Sequence, residues 1–169
     1  MTTLPIVWAP DPILKTKCAH VTFIGEEEKQ LMKDMLDTMY AAPGVGLAAP
    51  QVGITKRIIV VDCARTNEPA APYQMVNPEL IKSSMDELTN EEGCLSLPGH
   101  YADVSRPATA RVKYIDENGC QQIIDTDGLL AVCIQHEIDH INGILFVDHL
   151  SSLKRNMILK KMVKAKKER

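Results

Sequence analysis

The pentapeptide His136-Glu137-Ile138-Asp139-His140 constrains this chain more than any other stretch. Residues 127–143 around it predict a helix, because Asp127 can cap its start and Gly143 can adopt the left-handed conformation that ends it. Two histidines four residues apart lie on one face of such a helix and can bind one metal ion. Glu137 can then reach a water on that ion, whose pKa a divalent metal lowers to about 7. The pattern indicates a metal-dependent hydrolase.

A catalytic metal site of this kind uses three protein ligands and leaves one position open. The two positions where metallopeptidases often carry the third ligand hold Phe146 and Lys160, which do not serve here. Three other side chains remain as candidates, ahead of the weaker His100: Cys94, Cys133 and His149.

These three candidates differ in where they lie relative to the helix. Cys94 stands between Gly93 and Leu95 in a turn-like stretch that can present a thiolate to an ion, although a buried structural thiol is the plainer interpretation. Cys133 is on the metal helix itself, where about 10 Å of rise separates it from His140 and argues against a shared ion. His149 lies beyond the end of the helix.

Composition narrows the class of protein further. A length of 169 residues predicts one domain, residues 1–169, and 45% hydrophobic residues suffice for a core without a stabilising metal. Residues 1–12 contain three prolines and do not resemble a signal peptide, and no stretch approaches the roughly 20 apolar residues that cross a bilayer. Five cysteines without a Cys-x-x-Cys pair favour reduced thiols and a cytoplasmic location.

Charge is distributed unevenly along the chain. Residues 153–169 contain eight Lys or Arg and one Glu, a balance of +7, whereas the other residues contain 11 basic and 21 acidic side chains, a balance of −10. A basic segment on an acidic body favours a polyanionic partner, but it is also typical of a solvated terminal helix.

Hydrophobic periodicity predicts an extended arm over 1–25 with a short turn or helix at 11–14, a helix over 26–42 and a last helix from Leu153 onward. The methionines of the first helix are interpreted as core. The inner side of the last helix is predicted to consist of Leu153, Met157, Met162 and Val163. Strands are predicted over 57–62, 73–77, 79–85, 108–116 and 121–125, the last two joined at Asn118-Gly119.

The stretch from Gly44 to Gly53 is rich in small residues and proline. It does not follow a strand and open a helix, so it is not a dinucleotide-binding loop. It can be an ordinary turn, or it can let the backbone approach a substrate closely, with Gln51 as a donor beside the metal.

Three stretches together, 44–51, 92–96 and 136–140, closely resemble the bacterial and organellar peptide deformylases, and the likeness extends over nearly the whole chain. The resemblance implies an α+β fold, with antiparallel strands around a central HExxH helix, an N-terminal helix and a C-terminal helix. It implies a hydrolase that removes the N-formyl group from the initiator methionine of nascent chains and releases formate. Residue patterns alone would stop at a metal-dependent hydrolase of an amide or ester.

By the family pattern, Cys94, His136 and His140 bind one metal ion, usually Fe(II), which Zn, Ni or Co can replace. Gln51 and the backbone N–H of Leu95 hold the developing oxyanion, and Glu137 moves the proton. The family pattern also implies substrate contacts from seven residues: Val45, Gly46, Glu92, Gly93, Leu129, Val132 and Cys133.

One departure from the family is Tyr101, which stands where many members carry an arginine; the role of that arginine is not transferred to Arg106. Some members dock their C-terminal helix on the ribosome, which suggests that residues 153–169 bind ribosomal RNA. DNA and membranes are not expected as partners, and a monomer is the default. The competing interpretations are a general small metallopeptidase and a ribosome-binding module with a structural zinc.

Overall fold

A computed structural model describes all residues from Met1 to Arg169. The helices are α1 (Glu26–Ala41), α2 (Gly128–Ile141) and α3 (Ser152–Lys167). The strands are β1 (Gly46–Ala48), β2 (Ile58–Val61), β3 (Tyr73–Ser83), β4 (Glu87–Cys94), β5 (Leu97–Pro107), β6 (Thr109–Ile115) and β7 (Gln121–Asp127). Short 3₁₀ helices cover Pro12–Lys15, Ala49–Val52 and Phe146–His149. The short helix predicted around residues 11–14, the helix predicted over 26–42 and the helix predicted from Leu153 onward are all present.

All strand pairs are antiparallel and form two sheets. The larger sheet has the order β1-β2-β3-β6-β7, so β1 is an edge strand with one partner, and β4 pairs with β5 in a separate hairpin. Helix α2 packs on the larger sheet through Ile134, Ile138 and Ile141, in a core that includes Ile59 and Met75. Burying each of these side chains contributes about 1.5–3 kcal/mol. The predicted α+β fold, with antiparallel strands around a central helix, is confirmed.

The apolar side of α1 forms a second core. Met32, Met35 and Met39 are fully buried and pack with Leu47 of β1 and Ile58 of β2. The predicted core role of the methionines is therefore confirmed. Because α1 holds β1 from one side and α2 holds it from the other, the Gly-rich stretch after α1 is fixed in front of the metal helix.

The ends of α2 differ partly from the prediction. Gly143 has a φ angle of 77°, and a Cβ there would lie 2.5 Å from the carbonyl oxygen of Lys15, so glycine is required on two grounds. Asp127 occupies the position before the first turn, but its side chain makes no capping hydrogen bond. The predicted N-cap position of Asp127 is therefore confirmed, whereas capping by its side chain is not observed.

Two strand predictions need correction. The segments predicted at 73–77 and 79–85 form one strand, β3, whose register shifts after Val76, where Asn77 has a φ angle of 51° and Pro78 follows. The β4–β5 hairpin was not predicted because Glu87–Glu91 are all exposed, so the sequence there lacks alternating apolar residues.

The prediction for the inner side of α3 is mostly wrong. Met162 is fully buried, whereas the exposed fractions of Leu153, Met157 and Val163 are 72%, 51% and 41%. Ile158 and Leu159 are the half-buried residues beside Met162. Helix α3 contacts the rest of the protein along one narrow strip of side chains. The packing of that strip determines which face of α3 points inward, and hydrophobic periodicity alone does not reveal it. None of the three helices combines the length and the apolar character that crossing a membrane requires.

Candidate metal centre

Two elements bring three possible ligands together. Helix α2 presents His136 and His140 one turn apart, and Cys94 is the last residue of β4, before a tight turn. The Nε2 atom of His140 lies 3.2 Å from Nε2 of His136 and 3.3 Å from Sγ of Cys94. All three ligand atoms lie within 4.8 Å of one another.

This arrangement fits a divalent metal. Tetrahedral bonds of about 2.0–2.3 Å place neighbouring ligand atoms about 3.3–3.6 Å apart, close to the separations observed here. Two imidazoles and one thiolate are a ligand set that suits zinc and iron, and three protein ligands leave a further position open.

The other ligand candidates lie outside this cluster. The Nε2 atom of His149 is 2.8 Å from a carboxylate oxygen of Asp139. Cys133 lines the neighbouring cavity, where contact with the thiol of Cys63, together with burial, raises the pKa of Cys133. Because Cys133 is not among the side chains whose ligand atoms converge, it belongs to the cavity wall rather than to the ligand set. His100 is not part of the cluster either.

Glu92 fixes the orientation of the first histidine. Its carboxylate Oε1 lies 2.9 Å from Nδ1 of His136 and can only accept, so Nδ1 carries the proton and Nε2 is free to bind a metal. Burial alone would raise the pKa of Glu92, but the hydrogen bonds from His136 and Arg106 outweigh it and lower the pKa to about 2. Glu92 is therefore ionised at neutral pH.

Arg106 connects this carboxylate to Asp139, which lies about one turn along α2 from His136. Its guanidinium donates to both carboxylate oxygens of Glu92, at 2.6 and 3.0 Å, and to Asp139 at 2.9 Å. Only 5% of Arg106 is exposed. No sequence pattern predicts a role for Arg106, because it lies on the unpredicted strand β5 and its neighbours along the chain do not indicate a buried partner.

Glu137 faces the cavity beside the ligands. Burial raises the pKa of its carboxyl to about 7, although the charges of His136 and Arg106 oppose the shift. Its Oε1 atom is buried without a protein partner, and a Cβ at position 46 would lie 2.6 Å from Oε2, so Gly46 makes room for the carboxylate. A carboxyl with a pKa near neutrality can both accept and donate a proton.

Gln51 is completely buried next to Cys94. Its Oε1 accepts from the backbone N–H of Ala48 at 2.9 Å, which fixes the orientation of the amide. Its Nε2 therefore points to Ser96 Oγ at 3.1 Å and to Cys94 Sγ at 3.4 Å. The backbone N–H of Leu95 makes no hydrogen bond to the protein. Two neutral donors thus lie beside the ligand cluster.

A cavity of about 890 Å³ opens over these groups. Tyr101 lies at its rim, where its ring covers Gly93: a Cβ on that glycine would be 2.4 Å from the ring. Every residue predicted to contact the substrate lines this cavity, namely Val45, Gly46, Glu92, Gly93, Leu129, Val132 and Cys133. The structure thus brings all the predicted site residues to one place.

Three convergent ligands, a buried carboxylate of raised pKa and two neutral donors beside an apolar cavity define a metal-dependent hydrolase. The sequence model of the polypeptide deformylase family matches residues 3–156. The chain belongs to the peptide deformylase family, whose members are metalloenzymes.

Individual relatives agree over the whole length. The peptide deformylase of Agrobacterium fabrum is 50% identical over 165 residues, which cover 98% of this chain and 97% of the relative. The crystal structure of peptide deformylase from Ehrlichia chaffeensis superimposes with a TM-score of 0.94 at 38% identity and covers 99% of this chain and 98% of that one. The same enzyme in complex with actinonin gives a TM-score of 0.93 at 40% identity.

Proposed function

We propose that this chain removes the N-formyl group from the initiator methionine of nascent polypeptides, with Cys94, His136 and His140 holding one Fe(II) ion. The observation that carries this proposal is the convergence of those three ligand atoms beside Glu137 in a member of the deformylase family. Zinc, nickel or cobalt can take the place of iron at such a ligand set.

A metal ion held by these ligands would act as a Lewis acid and would lower the pKa of a bound water to about 7. The protein supplies the proton transfer. The carboxylate of Glu137 takes the proton from the attacking water and then, as the acid, gives it to the amine of methionine as the C–N bond breaks. Its raised pKa suits it to both steps, because neither protonation state is strongly favoured near pH 7.

The formyl oxygen gains negative charge during attack. The Nε2 group of Gln51 and the backbone N–H of Leu95 are placed to donate to it. The amide of Gln51 is already oriented by Ala48, so little reorganisation is needed when charge develops. Leu95 N–H has no competing protein acceptor.

The peptide is held next to the metal centre by backbone and side-chain contacts. Strand β1 has a free edge, so Val45 and Gly46 can pair with an extended peptide as an added strand. Leu129, Val132 and Cys133 form an apolar wall of the cavity that suits the methionine side chain. Glu92 and Gly93 border the same space from β4.

Formate release from a formyl-Met peptide tests this function, using protein purified without oxygen. We expect formate and a free methionine amine, with the other peptide bonds intact. Cleavage of an unformylated peptide would instead support a general metallopeptidase. Metal-loaded protein that leaves both peptides unchanged would overturn the enzymatic proposal and favour a binding module with a structural metal.

Within this proposal, residues 1–169 form one domain that acts as a cytoplasmic monomer, and α3 docks on ribosomal RNA. Seven of the eight Lys and Arg side chains in residues 153–169 are exposed, and phosphate contacts of such residues weaken as salt rises. We expect the triple variant Lys160→Gln/Lys161→Gln/Lys164→Gln to pellet with ribosomes less than the parent at low salt. A control that loses two charges on α1, Lys29→Gln/Lys33→Gln, should pellet normally; equal pelleting of all three proteins would refute docking through α3.

A further inference from the structure

The cavity over the metal centre continues beyond the residues assigned to catalysis. Its far part is lined by the N-terminal arm, including Ile6 and Trp8, and by Arg169. The arm is tied to the site by backbone hydrogen bonds, since Val7 N–H donates to Gln51 O at 2.7 Å and Ala9 N–H to Ser96 O at 2.9 Å. One continuous space therefore connects the metal centre to the end of the chain.

Arg169 is held in a defined position at this end. Its guanidinium carbon lies 4.1 Å from the ring centroid of Trp8, a cation–π distance, and its Nη2 donates to the carbonyl of Ile6 at 2.9 Å. No Asp or Glu side chain forms an ion pair with it, unlike Lys166 one turn earlier, which pairs with Asp11 at 3.3 Å. Arg169 thus offers an oriented guanidinium that forms no ion pair with an acidic side chain of the protein.

The other charges along the cavity make this cation distinctive. Arg169 is the only Lys or Arg among the residues that line it. The carboxylate of Glu92 is matched by Arg106, and Glu91 remains as an acidic side chain near the metal end. At the rim, Tyr101 supplies a neutral ring. A bound peptide therefore meets acidic and neutral groups near the metal and one positive charge at the far end.

A substrate whose methionine lies against Leu129 and Val132 must run its following residues through the remaining cavity. We propose that Arg169 is a specificity-determining residue that favours substrates carrying an acidic side chain downstream of formyl-methionine over those carrying a basic one. The inference rests on the proposed deformylase function. Because the contact is between partly exposed charges, the preference should be about two- to fivefold in KM, with kcat unchanged.

A peptide scan tests the proposal. Formyl-Met peptides carry a single Glu, Gln or Lys at each of the next four positions in an alanine and serine background, and kcat and KM are measured at low and high salt. For the parent protein we expect at least one position where KM follows the order Glu, Gln, Lys. That order should flatten at high salt, because exposed charges are screened.

Two variants separate Arg169 from the general charge of the molecule. Arg169→Gln should abolish the preference at that position, whereas Lys33→Gln, an exposed cation on α1 outside the cavity, should retain it. A preference that persists in Arg169→Gln, or that falls equally in Lys33→Gln, overturns the proposal, as does its absence in the parent. Failure of the parent to release formate from the Gln peptides would instead refute the proposed function.

Discussion

Helices α2 and α3 have similar lengths, but the polar and charged side chains of α2 are mostly buried and those of α3 are mostly exposed. Ten residues of α2 are buried, including both histidines and Glu137, whereas Met162 is the only buried residue of α3. In α2 burial raises the pKa of Glu137 to about 7, and His136 is fixed through Glu92 by Arg106. In α3 most charges are exposed to solvent. Burial therefore changes the acid–base properties of a side chain, as it does for Glu137, whereas an exposed side chain remains an ordinary charge that salt screens.

Replacing the buried carboxylate should have the largest effect on activity. We expect Glu137→Gln to lower kcat by about 10²–10⁴, because proton transfer is lost while shape and the three ligands remain. Steady-state formate release measures kcat, and metal analysis of the same sample measures the bound metal. The same replacement at the exposed Glu26 of α1 should change neither. Undiminished turnover in Glu137→Gln would remove this residue from the proposed role.

The next largest effect should come from the buried amide. Gln51→Ala removes one donor to the developing oxyanion and should lower kcat by about 10²–10³. The loss should appear mainly in kcat, since the donor acts more strongly on the transition state than on the bound substrate. A rise in KM alone would indicate that Gln51 only binds the substrate.

Arg106 should affect activity indirectly. Arg106→Met leaves Glu92 buried with one partner fewer and should destabilise the fold by about 3–5 kcal/mol. Loss of support to His136 should also weaken metal binding by about 10–100-fold. Denaturant unfolding and metal titration measure these effects, and excess metal should restore much of the activity. Unchanged metal affinity in a folded variant would contradict the positioning role.

Two methionines of α3 should have the smallest effects on activity and differ only in stability. Met162→Ala should lower the free energy of unfolding by about 2–5 kcal/mol, because it leaves a cavity in the core. Met157→Ala, at a half-exposed position, should stay within about 0.5 kcal/mol of the parent. Denaturant midpoints distinguish the two, and similar midpoints would contradict the placement of α3.

Local patterns predicted much of the fold and of the site. The helices could be predicted from hydrophobic periodicity and from the residues that end helices, and Gly143 ends α2 as expected. The motif on α2 and the stretches around Gln51 and Cys94 were sufficient to identify the family. The structure brings Gln51, Cys94, His136 and Glu137 to one cavity, with His140 beside them in the ligand cluster.

The features that sequence did not reveal depend on contacts between distant segments. Strand β4 is exposed from Glu87 to Glu91, and the inward positions of β5 include the charged Arg106 beside Ala102 and Val104, so the hairpin shows no sustained apolar alternation. The burial of Arg106 depends on partners 14 and 33 residues away. The rotation of α3 depends on which of several apolar residues reaches the body, and Met162 does so rather than Leu153.

The ligand set is the central claim, and metal content tests it most directly. Cys94→Ala and Cys133→Ala each remove one thiol close to the metal centre, but only Cys94 belongs to the ligand cluster. After purification without oxygen, we expect about one metal ion per chain in the parent and in Cys133→Ala, and little in Cys94→Ala. Retention of metal by Cys94→Ala together with its loss from Cys133→Ala would contradict the account.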